Sequence, residues 1–417
     1  MIHCEASFAQ PKFIDVFAGC GGLSLGLFQS GWQGLFAIEK DINAFATLRH
    51  NLLSSNHRFN FKWPGSIPCK HLDINNILCE YRKVVTEFAG SVDLLAGGPP
   101  CQGFSSAGRR KVDDPRNELV TSYLEFVRLI QPRIVLIENV RGITADFSLG
   151  GRRGGNVNYA RQIMDALSRD FFVWSDILDT SLFGVAQRRQ RFFVIAIRRD
   201  GLRCALPDPF KSISNARANF LRKKGLNVVP VPSKLAISDL LVGRNGTVPS
   251  REMKGFVEID YAGPKTLYQR LLNDGAGPHV TDTRLANHRP EIVARFKKIM
   301  RICRANDRLN VSLSQELRAG FGLRKAAIRV LDPDSPSPTI TSMPDDLIHY
   351  SEPRCLTVRE CARLQSFPDW YTFQGKYTTG GQRRRHEVPR FTQVANAVPP
   401  LIAEMIGSVL LDYISCY

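Results

Sequence analysis

Cys101 stands in the segment Gly97-Gly98-Pro99-Pro100-Cys101-Gln102-Gly103-Phe104-Ser105. A thiol held rigidly in place is a nucleophile candidate. The apolar run Val92-Asp93-Leu94-Leu95-Ala96 precedes it and reads as a buried parallel strand. The glycine pair lets the chain turn at the strand's end, and the proline pair fixes that turn. The cysteine is therefore expected at the carboxyl edge of a sheet, where open α/β folds place their ligands. The ordinary alternative for one of ten cysteines is a small buried hydrophobe. Glu138, 37 residues later, ends a second strand-like run, Arg133-Ile134-Val135-Leu136-Ile137. A carboxylate at the end of an apolar strand is desolvated, which raises its pKa and suits a general acid. The ordinary alternative there is a solvated surface group.

A third element is built for a ligand rather than for chemistry. The run Phe13-Ile14-Asp15-Val16-Phe17 leads into Ala18-Gly19-Cys20-Gly21-Gly22-Leu23. Glycines let a ligand approach the backbone, and a helix is expected from about Leu23. Glu39 follows Gly19 by 20 residues, at the end of the next strand-like run, Leu35-Phe36-Ala37-Ile38. An acid at that place can bind two ribose hydroxyls of a nucleoside cofactor. Alone, this pattern fits NAD and S-adenosyl-L-methionine equally well.

With these motifs in hand, the chain resembles the DNA (cytosine-5)-methyltransferases of the bacterial restriction–modification type. The resemblance covers nearly the whole chain in the family's motif order. It rests on Asp15 to Gly22, Gly98 to Ser105, Glu138-Asn139-Val140 and Gln187-Arg188-Arg189-Gln190-Arg191. Leu356 to Pro368 and Gln393-Val394-Ala395-Asn396-Ala397-Val398-Pro399 complete it. Many members have Gly where this chain has Ala395.

The resemblance implies a reaction and a set of roles. Cys101 attacks carbon 6 of cytosine while Glu138 protonates ring nitrogen 3, and carbon 5 then accepts a methyl group. Arg191 holds the base carbonyl and Arg189 supports the site. The cofactor is S-adenosyl-L-methionine, lined by Phe17, Gly19, Gly21, Gly22, Glu39, Asp73, Ile74, Pro99, Leu119, Asn396 and Val398. The substrate is double-stranded DNA, whose target base must leave the helix because stacking shields its carbon 6. Ser105 to Asn117 reads as a closing loop with small hinges followed by phosphate-binding charge. Gln102, Ser105, Arg109, Arg110 and Arg116 are its expected DNA contacts.

The elements that must position these groups can be read from periodicity. Strands are expected at 12–17, 34–39, 92–96, 133–138, 172–178 and 191–197. Helices are expected at 21–30, 41–52, 116–130, 157–169, 357–366 and 391–413. The alternation predicts a doubly wound, mostly parallel Rossmann-like sheet of the S-adenosylmethionine-dependent methyltransferase type. Near residue 200 the alternation stops, and basic clusters such as Arg222-Lys223-Lys224 and Asn287-His288-Arg289 follow. A discontinuous catalytic domain, 1–200 plus 385–417, is expected around a target-recognition domain and ninth-motif region, 201–384.

Composition agrees. A net charge of +17 over 417 residues favours a polyanionic partner. The ten cysteines include no CxxC pair and no zinc spacing, so no metal is expected and the thiols read as reduced. No secretory pattern opens the chain, and no apolar run approaching 18 residues is evident. The expectation is a cytoplasmic, nucleoid-associated monomer without a membrane span, paired in function with a cognate restriction endonuclease. Three alternatives compete. A tRNA cytosine methyltransferase would carry a Cys-Phe-Thr tripeptide, absent here. A non-catalytic homologue would lack Cys101 or Glu138. A nicotinamide oxidoreductase leaves Pro-Pro-Cys and Glu-Asn-Val unexplained.

Overall fold

The computed structural model describes residues 10–53, 58–100, 118–148, 156–378 and 387–417. The first half runs β1 (Lys12–Val16), α1 (Gly22–Gln29), β2 (Gln33–Ile38), α2 (Ile42–Leu52), α3 (Ile74–Glu80) and α4 (Arg82–Thr86). It continues through β3 (Leu94–Gly97), α5 (Glu118–Ile130), β4 (Ile134–Val140), the short pair β5 (Phe147–Ser148) and β6 (Asn156–Val157), and α6 (Tyr159–Leu167). Then come β7 (Phe171–Asp179) and β8 (Gln190–Arg198). Six of these strands form one sheet in the order β2-β1-β3-β4-β8-β7. The first four are parallel, and β8 runs antiparallel to both of its neighbours.

Two-residue periodicity sends alternate side chains to opposite faces of this sheet. Phe13, Leu94, Ile134, Leu136 and Phe193 fill one core, and Ile14, Leu95, Val135, Ile137 and Val194 fill the other. Both faces are covered, as a parallel sheet requires. The strand and helix ranges expected for the first 200 residues fall on these elements within about two residues.

The second half carries α7 (Pro209–Lys223), α8 (Ser233–Ile237), α9 (Val242–Asn245), β9 (Thr247–Pro249), β10 (Val257–Ile259) and α10 (Leu267–Asn273). It ends with α11 (Pro290–Ala305), α12 (Gln315–Gly320), β11 (Arg329–Val330), β12 (Leu347–Ile348), α13 (Val358–Leu364), α14 (Arg390–Asn396) and α15 (Pro400–Ile414). A separate small core gathers Phe296, Ile299, Met300, Leu313, Val330 and Ile348. α7 lies in the segment 201–384, yet it packs on α15, where Lys224 meets Glu404 at 2.5 Å. Of the basic cluster Arg222 to Lys224, Lys224 is therefore engaged by α15, while Arg222 and Lys223 stay exposed.

α13 is a buried ionic hub. Arg354 pairs with Glu360, and Arg363 pairs with both Asp239 and Asp369. Buried charges persist only when paired and hydrogen-bonded. These pairs tie the 239–282 region to the segment leading into α14.

Three expectations need correction. The single helix expected at 391–413 is two helices, because Ala397 to Pro399 turn extended and Pro400 starts α15 at its first position. The two together, Arg390–Ile414, are long and apolar enough to cross a membrane by composition, but 83% of that window is buried in the fold. The residues interleave with polar ones, which hid the run. The cysteines are not all reduced. Cys204 and Cys416 form a disulfide with their Cα atoms 5.5 Å apart. α15 brings the chain end back beside the loop after β8, where Arg203 donates its N–H to the Cys416 carbonyl.

α15 lies unusually close to α1. A Cβ on Gly26 would sit 2.4 Å from the Ala403 Cβ and 2.5 Å from the Pro400 carbonyl oxygen. Trp32 Nε1 donates to the Gly407 carbonyl at 2.9 Å. The last helix is thereby fixed against the element that carries the glycine loop.

Candidate functional site

A cleft of about 2690 Å³ opens at the carboxyl edge of the parallel strands. One half is built by the loop after β1. Phe17 has φ of +63° and Gly19 has φ of +57°, a left-handed backbone that costs a phenylalanine energy and is retained where the surroundings force it. The Gly19 N–H donates to Glu39 Oε2 at 2.9 Å, and the Asp41 N–H donates to Glu39 Oε1 at 2.7 Å. Glu39 therefore clips the glycine loop while each oxygen keeps a free lone pair. Burial raises its pKa, and the two N–H donors oppose that rise. Open space faces Gly19: a Cβ there would meet no atom within 4 Å.

Most residues expected around a nucleoside border this cleft: Phe17, Gly19, Glu39, Asp73, Ile74, Pro99, Leu119, Asn396 and Val398. Asp73 also caps α3 through the Asn75 N–H at 2.9 Å. Gly21 and Gly22 do not border it. A Cβ on Gly22 would lie 2.3 Å from the Val398 carbonyl oxygen, and one on Gly21 would lie 2.8 Å from the Tyr371 hydroxyl. The absence of side chains at those two glycines admits Tyr371 and the Val398 backbone.

Asp15 is the buried group that motif spacing did not single out. It is 1% exposed, borders the cleft, and accepts a hydrogen bond from Ser24, while its Oδ1 has no partner. Burial pushes its carboxyl up to about 7, with Glu39 adding to the rise and Ser24 opposing it. An acid raised in the fold holds a proton that the unfolded chain has released. That contribution to stability is full below about pH 4 and is lost as pH rises through about 7. Without ligand, the wild type should lose more melting temperature between about pH 5 and about pH 8 than Asp15→Asn does. Parallel melting curves for the two proteins would show that Asp15 does not hold the proton.

The other half of the cleft is reactive in character. β3 ends at Gly97, and a Cβ on Gly98 would lie 3.4 Å from Glu138 Oε2. Asn139 Nδ2 donates to the Pro99 carbonyl at 3.0 Å. The strand end that leads into residue 101 is thus clasped against the end of β4. Glu138 is 8% exposed and meets Arg191 Nε at 3.0 Å. The lone apolar setting expected for Glu138 is therefore offset by an ionic partner on the neighbouring antiparallel strand.

Arg189 is 3% exposed and its Nε has no acceptor. Burial, and then the charge of Arg191, push its guanidinium well below the usual value. Gln187, wholly buried, accepts the Ile340 N–H through Oε1 at 3.1 Å. The Ser337 N–H donates to the Ala186 carbonyl and the Arg188 N–H to the Ser337 carbonyl. This strap carries Thr339 to Asp345 along the cleft, opposite the β3 and β4 ends. Phe256, Arg284, Asn287 and His288 border its far wall. Cys101, Gln102, Ser105, Arg109, Arg110 and Arg116 lie outside the described residues.

Comparison with known proteins gives consistent matches. The family model for C-5 cytosine-specific DNA methylase matches residues 11–412. The chain is 30% identical to Type II methyltransferase M.DdeI of Desulfomicrobium norvegicum, over 96% of this chain and 89% of that one. It is 28% identical to Type II methyltransferase M.XorII of Xanthomonas oryzae pv. oryzae, over 96% and 85%. A solved structure described as a DNA modification methyltransferase encoded within a prophage (E. coli) superposes with a TM-score of 0.62 at 22% identity. That match covers 97% of this chain and 100% of the other, and it bears on the fold.

Proposed function

The chain belongs to the C-5 cytosine-specific DNA methylases, and from that premise we propose how its residues carry the reaction. It is a DNA cytosine-5 methyltransferase, and its curated relatives are Type II methyltransferases of restriction–modification systems. The observation that most supports our reading is the clasp between the ends of β3 and β4. Asn139 grips the Pro99 carbonyl, so the chain as far as Pro99 is held against the end of β4, which carries the Glu138–Arg191 pair.

In this reading the target cytosine leaves the duplex and enters that half of the cleft. The Cys101 thiolate adds to carbon 6, forming a C–S bond, while Glu138 delivers a proton to nitrogen 3. Arg191 exchanges its contact with Glu138 for the base carbonyl, because guanidinium supplies fixed, permanently charged donors. Arg189, buried behind it, holds that geometry. After methylation, removal of the carbon 5 proton lets its electron pair re-form the C5–C6 double bond and expel the Cys101 thiolate, while nitrogen 3 returns its proton to Glu138 and the aromatic ring is restored.

The other half of the cleft fits S-adenosyl-L-methionine. The open cradle at Gly19, the two free lone pairs of Glu39 and the Phe17 ring suit a nucleoside, and the unpartnered Asp15 oxygen suits a cation. When bound there, the cofactor supplies an electrophilic methyl group that carbon 5 can take. Residues 201–384 carry target recognition and the ninth-motif region, and 1–200 plus 385–417 carry catalysis. The protein works as a cytoplasmic monomer on the nucleoid and shields DNA from a cognate endonuclease.

Bisulfite sequencing of DNA from cells expressing the protein tests this reading. We expect one short sequence context in which a cytosine resists conversion. Uniform conversion at every site would overturn the proposal.

A further inference from the structure

Two guanidinium groups stack on Tyr377, and they differ in one respect. Arg390 lies 4.3 Å from the ring centroid and pairs with Glu252 at 2.7 Å and Asp282 at 2.8 Å. Arg284 lies 3.8 Å from the same centroid and 4.2 Å from that of the Phe256 ring. Among the described residues no carboxylate approaches Arg284 within ion-pair distance. Its Nη1 meets only the Met253 thioether at 3.0 Å, a weak acceptor, and its Nε is buried without a partner.

The backbone under Arg284 is equally fixed. β9 and β10 pair antiparallel, and Arg284 adds a single antiparallel bridge to Glu258 on the free side of β10. The Leu285 N–H donates to the Val257 carbonyl, and the Ile259 N–H donates to the Thr283 carbonyl. Thr283 is 1% exposed, so the alternation of a strand turns Arg284 to the opposite side, where it borders the cleft. Burial lowers its pKa, and the Arg390 charge adds to that, so a partner from outside is worth more to it than to a solvated arginine. Asn287, which borders the cleft beside it, is held by its own bond to the Gly255 carbonyl.

A guanidinium packed against two aromatic rings has lost the freedom that phosphate contacts tolerate and keeps a planar fork of donors. In a DNA major groove that fork matches the O6 and N7 acceptors of guanine. We propose that Arg284 reads one guanine of the target sequence, with Phe256 and Tyr377 as the positioning residues that aim it. The proposal rests on the DNA methyltransferase reading above.

The test starts from the target sequence found by bisulfite mapping. Each guanine of the target duplex is replaced singly by 7-deazaguanine, which removes N7 and keeps base pairing. With wild-type protein, one position should lose roughly tenfold or more in kcat/KM, the scale of a bidentate contact. In Arg284→Met, which keeps a long side chain on the rings but no donor, that penalty should vanish. Discrimination against other base pairs at that position should fall roughly 10- to 100-fold. Tyr377→Leu, which loosens the clamp and leaves the guanidinium, should lower discrimination at the same position. A target without guanine, a penalty retained in Arg284→Met, or weakening of that variant equal at all positions with a salt slope reduced by about one would each overturn the assignment. The last pattern is that of a phosphate contact. Wild-type protein that marks no cytosine would overturn the enzyme reading as well, so the two failures are distinct.

Discussion

DNA carrying 5-fluorocytosine at the target should become covalently bound to the wild-type protein when the cofactor is present, and Cys101→Ala should trap none. Fluorine cannot leave carbon 5 as the proton does, so a C–S bond formed at carbon 6 persists. Cys101 is the residue to which the clasped strand end leads. Gly98 abuts Glu138, and Asn139 holds the Pro99 carbonyl two residues before the thiol. The cysteines described in the interior serve other ends. Burial pushes Cys20 up to about 12 and Cys355 up to about 12, which removes them as thiolates at neutral pH. Methyl transfer should disappear together with trapping in Cys101→Ala. Gel mobility under denaturing conditions reads the first and bisulfite protection reads the second. Trapping by the alanine variant would place the nucleophile elsewhere.

Glu138→Gln should lower kcat by roughly 10²–10⁴-fold, the range of general acid–base catalysis, while DNA and cofactor affinity stay near wild type. The amide can still accept from Arg191 Nε, which lies 3.0 Å from Glu138 Oε1, so the pocket keeps its shape. What it cannot do is pass a proton to ring nitrogen 3, and the addition of Cys101 then lacks its driving force. The same variant should form the 5-fluorocytosine adduct slowly rather than not at all. A rise in KM with kcat unchanged would make Glu138 a binding residue, and the proton would have another source.

The strand ends at Gly97 and Glu138, and the loop that ends at Glu39, were legible because each follows a short run of branched apolar residues. Such a run has few alternatives to a doubly buried strand, and glycine or proline marks where it stops. Arg189 and Arg191 were legible only through motif order, since an arginine pair before a strand is otherwise a surface turn. Other positions gave no such signal. Gly21 and Gly22 look like ligand-facing glycines beside Gly19, yet Tyr371 and Val398 are what approach them. A close backbone approach leaves the same residue type whichever partner makes it.

Local periodicity and motifs spaced along one chain were enough for the alternating α/β architecture, the order of the sheet-edge groups and the family to which the chain belongs. Folding was needed to show that Arg191 is Glu138's partner, that Asp15 keeps an unpartnered oxygen, and that Cys204 meets Cys416 across 212 residues. It also distinguished Arg284, with no carboxylate at ion-pair distance among the described residues, from Arg390, with two. Charge and exposure belong to pairs brought together by folding, and residues far apart in the chain carry no record of which pairs will meet.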